Sequence, residues 1–178
     1  MRITGGSLLG RRIEVPKGII RPAMDKMRES VFAILGDISG KSFLDLFSGS
    51  GIIALEASSR GAVTIEAVEK DAKKSSTILT NVKISPVRIG CHFIAVELYI
   101  KRAKQAFDYI FCDPPFPYQF KFELVSAIAA SPLMKENSML ILHHPREERL
   151  NTAIQSLNLV DHREYGRSLV EFWKSLCN

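Results

Sequence analysis

Apolar positions along the 178-residue chain fall into two alternating patterns. Short apolar runs bounded by glycine, proline or charge predict strands, and apolar positions returning every three or four residues predict helices. Met27, Val31, Ile34 and Leu35 sit at helical spacing within residues 25–35, and Gly36 supplies a stop. Ser42 to Phe47 predicts a strand ending in a glycine-rich turn, and Ile52 to Arg60 a helix closed by Gly61. Val63–Glu69, Val87–Val96, Phe107–Cys112 and Ser138–Leu142 predict four further strands. Between and after them, Asp71–Val82, Glu97–Lys104, Phe120–Ala130 and Glu147–Leu157 predict helices, the first with Asp71 as its N-cap. Leu159–Glu164 and Leu169–Lys174 flank Gly166 and predict a closing hairpin. Residues 1–22 differ from the rest. They are β-like pieces cut by Gly5, Gly6, Gly10, Pro16, Gly18 and Pro22, which predicts a hairpin or loose arm ahead of a single domain at 23–178.

Strands alternating with helices predict βαβ units and an α/β fold: a mostly parallel sheet with helices on both faces. The closing hairpin would add antiparallel strands at one edge. Ligands in such sheets bind beyond the carboxyl ends of the strands, near the point where strand order reverses.

Composition is that of a globular domain, with 46% hydrophobic and 24% charged residues. No apolar run approaches the roughly 20 residues of a membrane span. The first residues lack the apolar core of a signal peptide, so a cytoplasmic protein without a membrane partner is expected. Cys91, Cys112 and Cys177 fit neither a zinc pattern nor a disulfide framework. Charge changes the picture more. Residues 1–28 carry seven basic and two acidic residues, which accounts for the whole net charge of +5, while the remainder holds seventeen of each sign. A basic segment of this kind reads as a surface for a polyanion or as a solvated strand.

Three motifs lie at predicted strand ends. In Asp45-Leu46-Phe47-Ser48-Gly49-Ser50-Gly51 the glycines permit a tight turn and close approach to a ligand. G-x-G alone also fits a dinucleotide site or an ordinary turn. The third glycine of a dinucleotide fingerprint is missing, however, and Asp45 would repel a pyrophosphate while attracting an ammonium or sulfonium group. That favours S-adenosylmethionine over NAD. Glu69, followed by Lys70, comes 18 residues after Gly51, where a carboxylate can accept hydrogen bonds from ribose hydroxyls. Asp113-Pro114-Pro115-Phe116 is the most specific motif. Its prolines fix φ and remove two N–H donors. The Asp113 side chain and Pro114 carbonyl could then accept both hydrogens of an exocyclic amine, while Phe116 stacks on an extruded base. Taken only as structure, the same tetrapeptide is a rigid loop with a buried Phe. His143 and His144 do not read as metal ligands, because adjacent strand residues face opposite sides; no metal is expected.

With these residues in place, the chain resembles the bacterial 16S ribosomal RNA guanine-N2 methyltransferases of the RsmD type. The likeness runs from Met1-Arg2-Ile3 with Gly5, Gly6 and Gly10, through Arg21-Pro22-x-x-Asp25-x-x-Arg28-Glu29-Ser30, to the three motifs and the terminal Tyr165-Gly166. It implies a Rossmann-like class I methyltransferase fold with a seven-stranded sheet and an N-terminal β-hairpin extension. It implies S-adenosyl-L-methionine as cofactor, S-adenosyl-L-homocysteine as product, and methyl transfer to N2 of a guanine in 16S rRNA of the small ribosomal subunit or its assembly intermediate, by a monomer. Carried over by position, Ser48 to Gly51 with Asp45 and Phe47 would cradle the methionine part, and Glu69 with Lys70 the ribose. The adenine would meet Ala95 and Val96, or a shifted Glu97. Asp113, Pro114, Pro115 and Phe116 would hold the target, and Arg11, Arg12, Arg21, Lys26 and Arg28 backbone phosphates. The alternatives are another amino-methyltransferase, such as an adenine-N6 or cytosine-N4 enzyme, and an RNA-binding protein of the same fold without activity.

Overall fold

The computed structural model describes residues 1–15, 23–148, 154 and 156–176. Its elements, in chain order, are α1 (Ala23–Leu35), β1 (Ser42–Leu46), α2 (Ile52–Ser59), β2 (Thr64–Val68), α3 (Ser75–Val82), β3 (Ile89–His92), α4 (Val96–Arg102), β4 (Tyr109–Cys112), α5 (Lys121–Ala129), β5 (Met139–Pro145), β6 (Leu157–Tyr165) and β7 (Ser168–Ser175). The strands form one seven-stranded sheet in the order β3-β2-β1-β4-β5-β7-β6. The first five are parallel, and β7 and β6 are antiparallel. This is the mostly parallel α/β sheet the alternation predicts, in the seven-stranded Rossmann-like form the resemblance implies. Strand order reverses between β1 and β4, and the ligand crevice opens there.

The strands are apolar on both faces because both faces are covered. Neighbouring residues go to opposite cores. Phe43, Phe111, Ile141 and Phe172 pack with Met27, Val31, Ile53 and Ala57 on one side. Leu44, Ile110, Leu142 and Trp173 pack with Val96, Leu124, Val125 and Ile128 on the other. Strand β6 is the outer edge. It alternates less cleanly, with Leu159 and Val160 exposed and a register irregularity between Leu159 and Asp161.

The N-terminal segment folds back on itself. Arg2 and Arg12 form an antiparallel bridge, with Ile3 N–H donating to Arg11 O and Ile13 N–H to Met1 O, each at 3.0 Å. It lies on α2 rather than standing free. A Cβ on Gly6, whose φ is +75°, would fall 1.8 Å from the Ser59 carbonyl oxygen, so only glycine permits this approach. The segment is held from below by Glu56, which is fully buried. Its carboxylate accepts from Thr4 N–H at 2.7 Å, from Thr4 Oγ1 at 2.9 Å and from Arg28 Nε at 2.8 Å, and also pairs with Arg60.

Several boundaries differ from the sequence expectation. The third strand stops at His92 and α4 begins at Val96, one residue earlier than the predicted helix. Residues 72–74 make a short 3-10 turn before α3. Most of the predicted Glu147–Leu157 helix lies outside the described residues, and Leu157, its last residue, opens β6 instead.

Candidate active site

The end of β1 builds the first wall. Phe47 has a left-handed φ of 63°, uncommon for a bulky side chain. The turn is held by Ser48 N–H on Val68 O and Gly51 N–H on Ser48 O, both at 2.9 Å. Gly49 and Gly51 also have positive φ, 60° and 81°, and a Cβ on Gly49 would meet nothing closer than Phe47 O at 3.9 Å. The bend is therefore open toward the crevice. Buried Asn81 clamps it from behind. Its Nδ2 donates to Ser50 O and to Glu14 O, and its Oδ1 accepts from Glu14 N–H, all at 2.9 Å. This tie between glycine bend and N-terminal segment is absent from the sequence reading.

Asp45 lies beneath the bend at 1% exposure. It accepts from Ser48 Oγ at 2.7 Å and Ala54 N–H at 3.2 Å. Burial pushes its pKa up to about 7 despite these bonds, and the nearby Asp113 and Glu69 carboxylates add to the rise. Glu69 follows β2 and is also buried. It accepts from Gly49 N–H at 3.0 Å and Asp71 N–H at 2.9 Å, and pairs with Lys74 at 3.1 Å.

The second wall follows β4. Because β1 and β4 are parallel with Leu46 opposite Cys112, Asp113 emerges beside Phe47. Tyr118 N–H donates to Pro115 O at 2.8 Å, closing a turn that leaves the Pro114 carbonyl out of its own bond. The ammonium of Lys121, only 4% exposed, donates to Phe116 O at 2.9 Å and to Tyr118 O, and pairs with Glu148 at 2.7 Å. It pins the whole loop from behind. Tyr118 meets Phe47 edge-on at 5.8 Å between ring centroids and donates to Glu97 Oε1 at 2.7 Å. That bond holds the Glu97 carboxyl below its ordinary range.

The two walls face each other across a cleft of about 560 Å³ lined by Phe47, Glu69, Lys70, Glu97, Asp113–Phe116 and Tyr118. A recess of about 160 Å³ continues beneath it and is shared by Asp45, Phe47, Ser48–Ser50 and Asp113. Beyond Phe116 and His143 a further cavity of about 630 Å³ runs to Tyr165 and Arg167.

Two groups of predicted residues stand elsewhere. Val96 is 1% exposed and packs in the core as the first residue of α4. Neither it nor Ala95 lines the cleft, and Glu97, one turn position later, does. Arg28 is 1% exposed. Besides Glu56 it bonds Arg2 O at 2.7 Å and Asp25 at 3.0 Å, so it is a tether for the N-terminal segment and not a surface cation for phosphate. Arg11, Arg12 and Lys26 are exposed, and Arg21 lies outside the described residues. His143, set aside in the sequence reading, proves to touch Asp113: its Nδ1 lies 2.8 Å from Oδ1. His144 points the other way, fully buried with Nε2 3.5 Å from Glu171, as strand alternation requires.

A parallel α/β sheet with a glycine bend after β1, an acidic residue after β2 and Asp-Pro-Pro-Phe after β4 defines the class I methyltransferase architecture. The chain belongs to the family described as Conserved hypothetical protein 95, whose model matches residues 1–174. It is 31% identical over 183 residues to the Bacillus subtilis (strain 168) protein named "Putative rRNA methyltransferase YlbH", covering 98% of each chain. It is 27% identical to the Escherichia coli (strain K12) "Ribosomal RNA small subunit methyltransferase D", over 92% of this chain and 83% of that one. Among solved structures, the Escherichia coli protein titled "Putative methyltransferase yhhF" superposes with a TM-score of 0.89, covering 98% of this chain and 97% of that one at 24% identity, a likeness of fold.

Proposed function

We propose that the chain is an S-adenosylmethionine-dependent methyltransferase acting on the exocyclic N2 amine of a guanine in 16S rRNA. The names of its relatives support the RNA substrate. The observation that carries the chemistry is that Asp113 and the Ser48–Ser50 bend line one recess.

The residues present suit a cationic donor. Asp45 and Asp113 line the recess. Glu69 lines the adjoining cleft and engages the one lysine at the recess, Lys74. Burial makes the Asp45 anion costly without a cation beside it. A pyrophosphate would meet repulsion in the same place. Asp45 and the bend would hold the methionine part, Glu69 the ribose, and Glu97, Phe47 and Tyr118 the surroundings of the adenine. Bound there, S-adenosylmethionine would supply a methyl group on a positively charged sulfur, which keeps the bonding electron pair on transfer.

The protein's own work is positioning. The Asp113 carboxylate and Pro114 carbonyl accept the two amine hydrogens and aim the nitrogen lone pair into the recess. As positive charge develops on that nitrogen, the Asp113 carboxylate stabilises it and then takes the departing proton, directly or through water. Phe116 offers a ring face to the base. Arg11, Arg12 and Lys26 provide cations for the backbone.

The test has two arms. Mass-spectrometric mapping of 16S rRNA treated with the protein and donor should reveal one new N2-methylguanine. The variant Asp113→Ala should bind donor by calorimetry yet lose on the order of a hundredfold or more in turnover, as loss of a positioning and charge-stabilising group demands. Full turnover in Asp113→Ala would refute the role, and an unchanged rRNA map would refute the substrate.

A further inference from the structure

We propose that His143 is a positioning residue for Asp113, and that the charge on its imidazole governs the rate of methyl transfer. This deepens the amine-methyltransferase reading and rests on it.

The geometry comes from the sheet. Strands β4 and β5 are parallel with Cys112 opposite Leu142, so residues 113 and 143 emerge side by side, one position past the last pair. His143 Nδ1 lies 2.8 Å from Asp113 Oδ1, with the imidazole 6% and the carboxylate 23% exposed. The same ring meets Phe116 edge-on at 5.6 Å and 62°. His143 thus touches two members of the tetrapeptide. It also lines both the 560 Å³ cleft and the 630 Å³ cavity beyond it.

One proton lies between a carboxylate and an imidazole nitrogen at that distance. Asp113 must be ionised to accept an amine hydrogen, so the proton sits on His143 Nδ1. Oδ1 is committed to the imidazole, and Oδ2 is left for the substrate. A neutral ring fixes the carboxylate while leaving its charge intact. An imidazolium at the same place would offset that charge where positive charge must develop on the attacking nitrogen. Transfer therefore proceeds with neutral His143 and slows when His143 is protonated.

Other charged groups surround the ring. Glu147 and Glu148 follow it on its own segment, and Tyr165 and Arg167 face it from the β6–β7 turn. Glu69, Lys70, Asp71, Lys74, Glu97 and Tyr118 line the cleft with it, and Met27 of α1 lines the cavity beyond. Glu148 is engaged with Lys121 at 2.7 Å, and Glu147 faces Arg167 at 3.9 Å. Asp113 is the carboxylate bonded to the imidazole.

The experiment follows kcat from pH 5.5 to 9 at saturating donor and RNA for wild type, His143→Gln and His143→Leu. Donor affinity is measured by calorimetry, which also reports folding. Saturating donor removes the contribution of Asp45, which acts on binding. Wild type should show an acid limb in kcat. Leu should lower kcat by about tenfold or more at pH 8.5, with the deficit against wild type shrinking toward pH 5.5, while donor affinity holds within about threefold. Gln, whose amide N–H can replace Nδ1–H, should recover most of that loss at pH 8.5 and show no acid limb. An acid limb that persists in His143→Gln, or full kcat in His143→Leu, would overturn the proposal. Imidazole nitrogen NMR at pH 8 reads the pair without turnover: a proton on Nδ1 supports it, and one on Nε2 overturns it even if the RNA substrate has been misidentified.

Discussion

Replacing Asp45 by Asn tests the electrostatics of the donor recess without touching its shape. The ordinary carboxyl value of 3.8 rises to about 7 in the folded protein, mainly by burial. Between those two values the unfolded chain has lost the Asp45 proton and the native protein has kept it. Native binds more protons, so stability falls as pH rises, by about 1.4 kcal/mol per unit. The contribution is fully present below pH 3.8 and gone above about 7, a total change of about 4 kcal/mol. Asn keeps an oxygen for the Ser48 and Ala54 donors and has no charge to bury. Urea unfolding of both proteins at one-unit steps from pH 4 to 8 isolates the effect as the difference between them. That difference should drift by about 4 kcal/mol in favour of Asn toward alkaline pH. Saturating S-adenosylmethionine should shrink the drift for wild type, because the bound cation compensates the ionised carboxylate. A flat difference across the range would refute the account of Asp45 as a buried anion awaiting a cation.

Further perturbations follow from the charged residues. Arg28→Met should lower unfolding free energy by about 3–5 kcal/mol, because Glu56 loses a buried partner, yet leave the salt slope of RNA binding unchanged. Arg11→Ala and Arg12→Ala should each reduce that slope by about one, as filter binding at several salt concentrations would report. Lys121→Met should free the Phe116 and Tyr118 carbonyls and lower kcat about tenfold at saturating donor, with a stability loss of about 1–3 kcal/mol by urea titration. Unchanged kcat would show that Lys121 does not set the loop.

Much of the fold was legible because period-2 and period-3.6 patterns are local. Phe43-Leu44 and Phe111-Cys112 announce strands buried on both faces, and Gly49 and Gly51 mark a bend that only positive φ can make. Asp113-Pro114-Pro115-Phe116 carries its rigidity in its own covalent structure. The rest depended on partners far along the chain. A basic cluster in residues 1–28 does not say that Arg28 will find Glu56, 28 positions away and inside α2. Val96 fell on the wrong side of an element boundary by one residue, which was enough to turn a predicted cleft residue into core. His143 and Asp113 are 30 residues apart, and only the pairing of β4 with β5 brings them together. Asn81 looked like one more polar residue on a helix face because the clamp it makes joins three segments.

The outer strand carries a consequence of its own. Among the described residues the outer side of β6 has no partner strand, and with Leu159 and Val160 exposed it has the makings of a template on which another chain could add. The irregularity at Leu159/Asp161 breaks the straight run, and Asp161, His162, Arg163 and Glu164 crowd the next four positions with polar and charged groups. A strand arriving there would have to follow a kink and strip water from charges. The protein thus keeps a long free border while discouraging stacking into fibres.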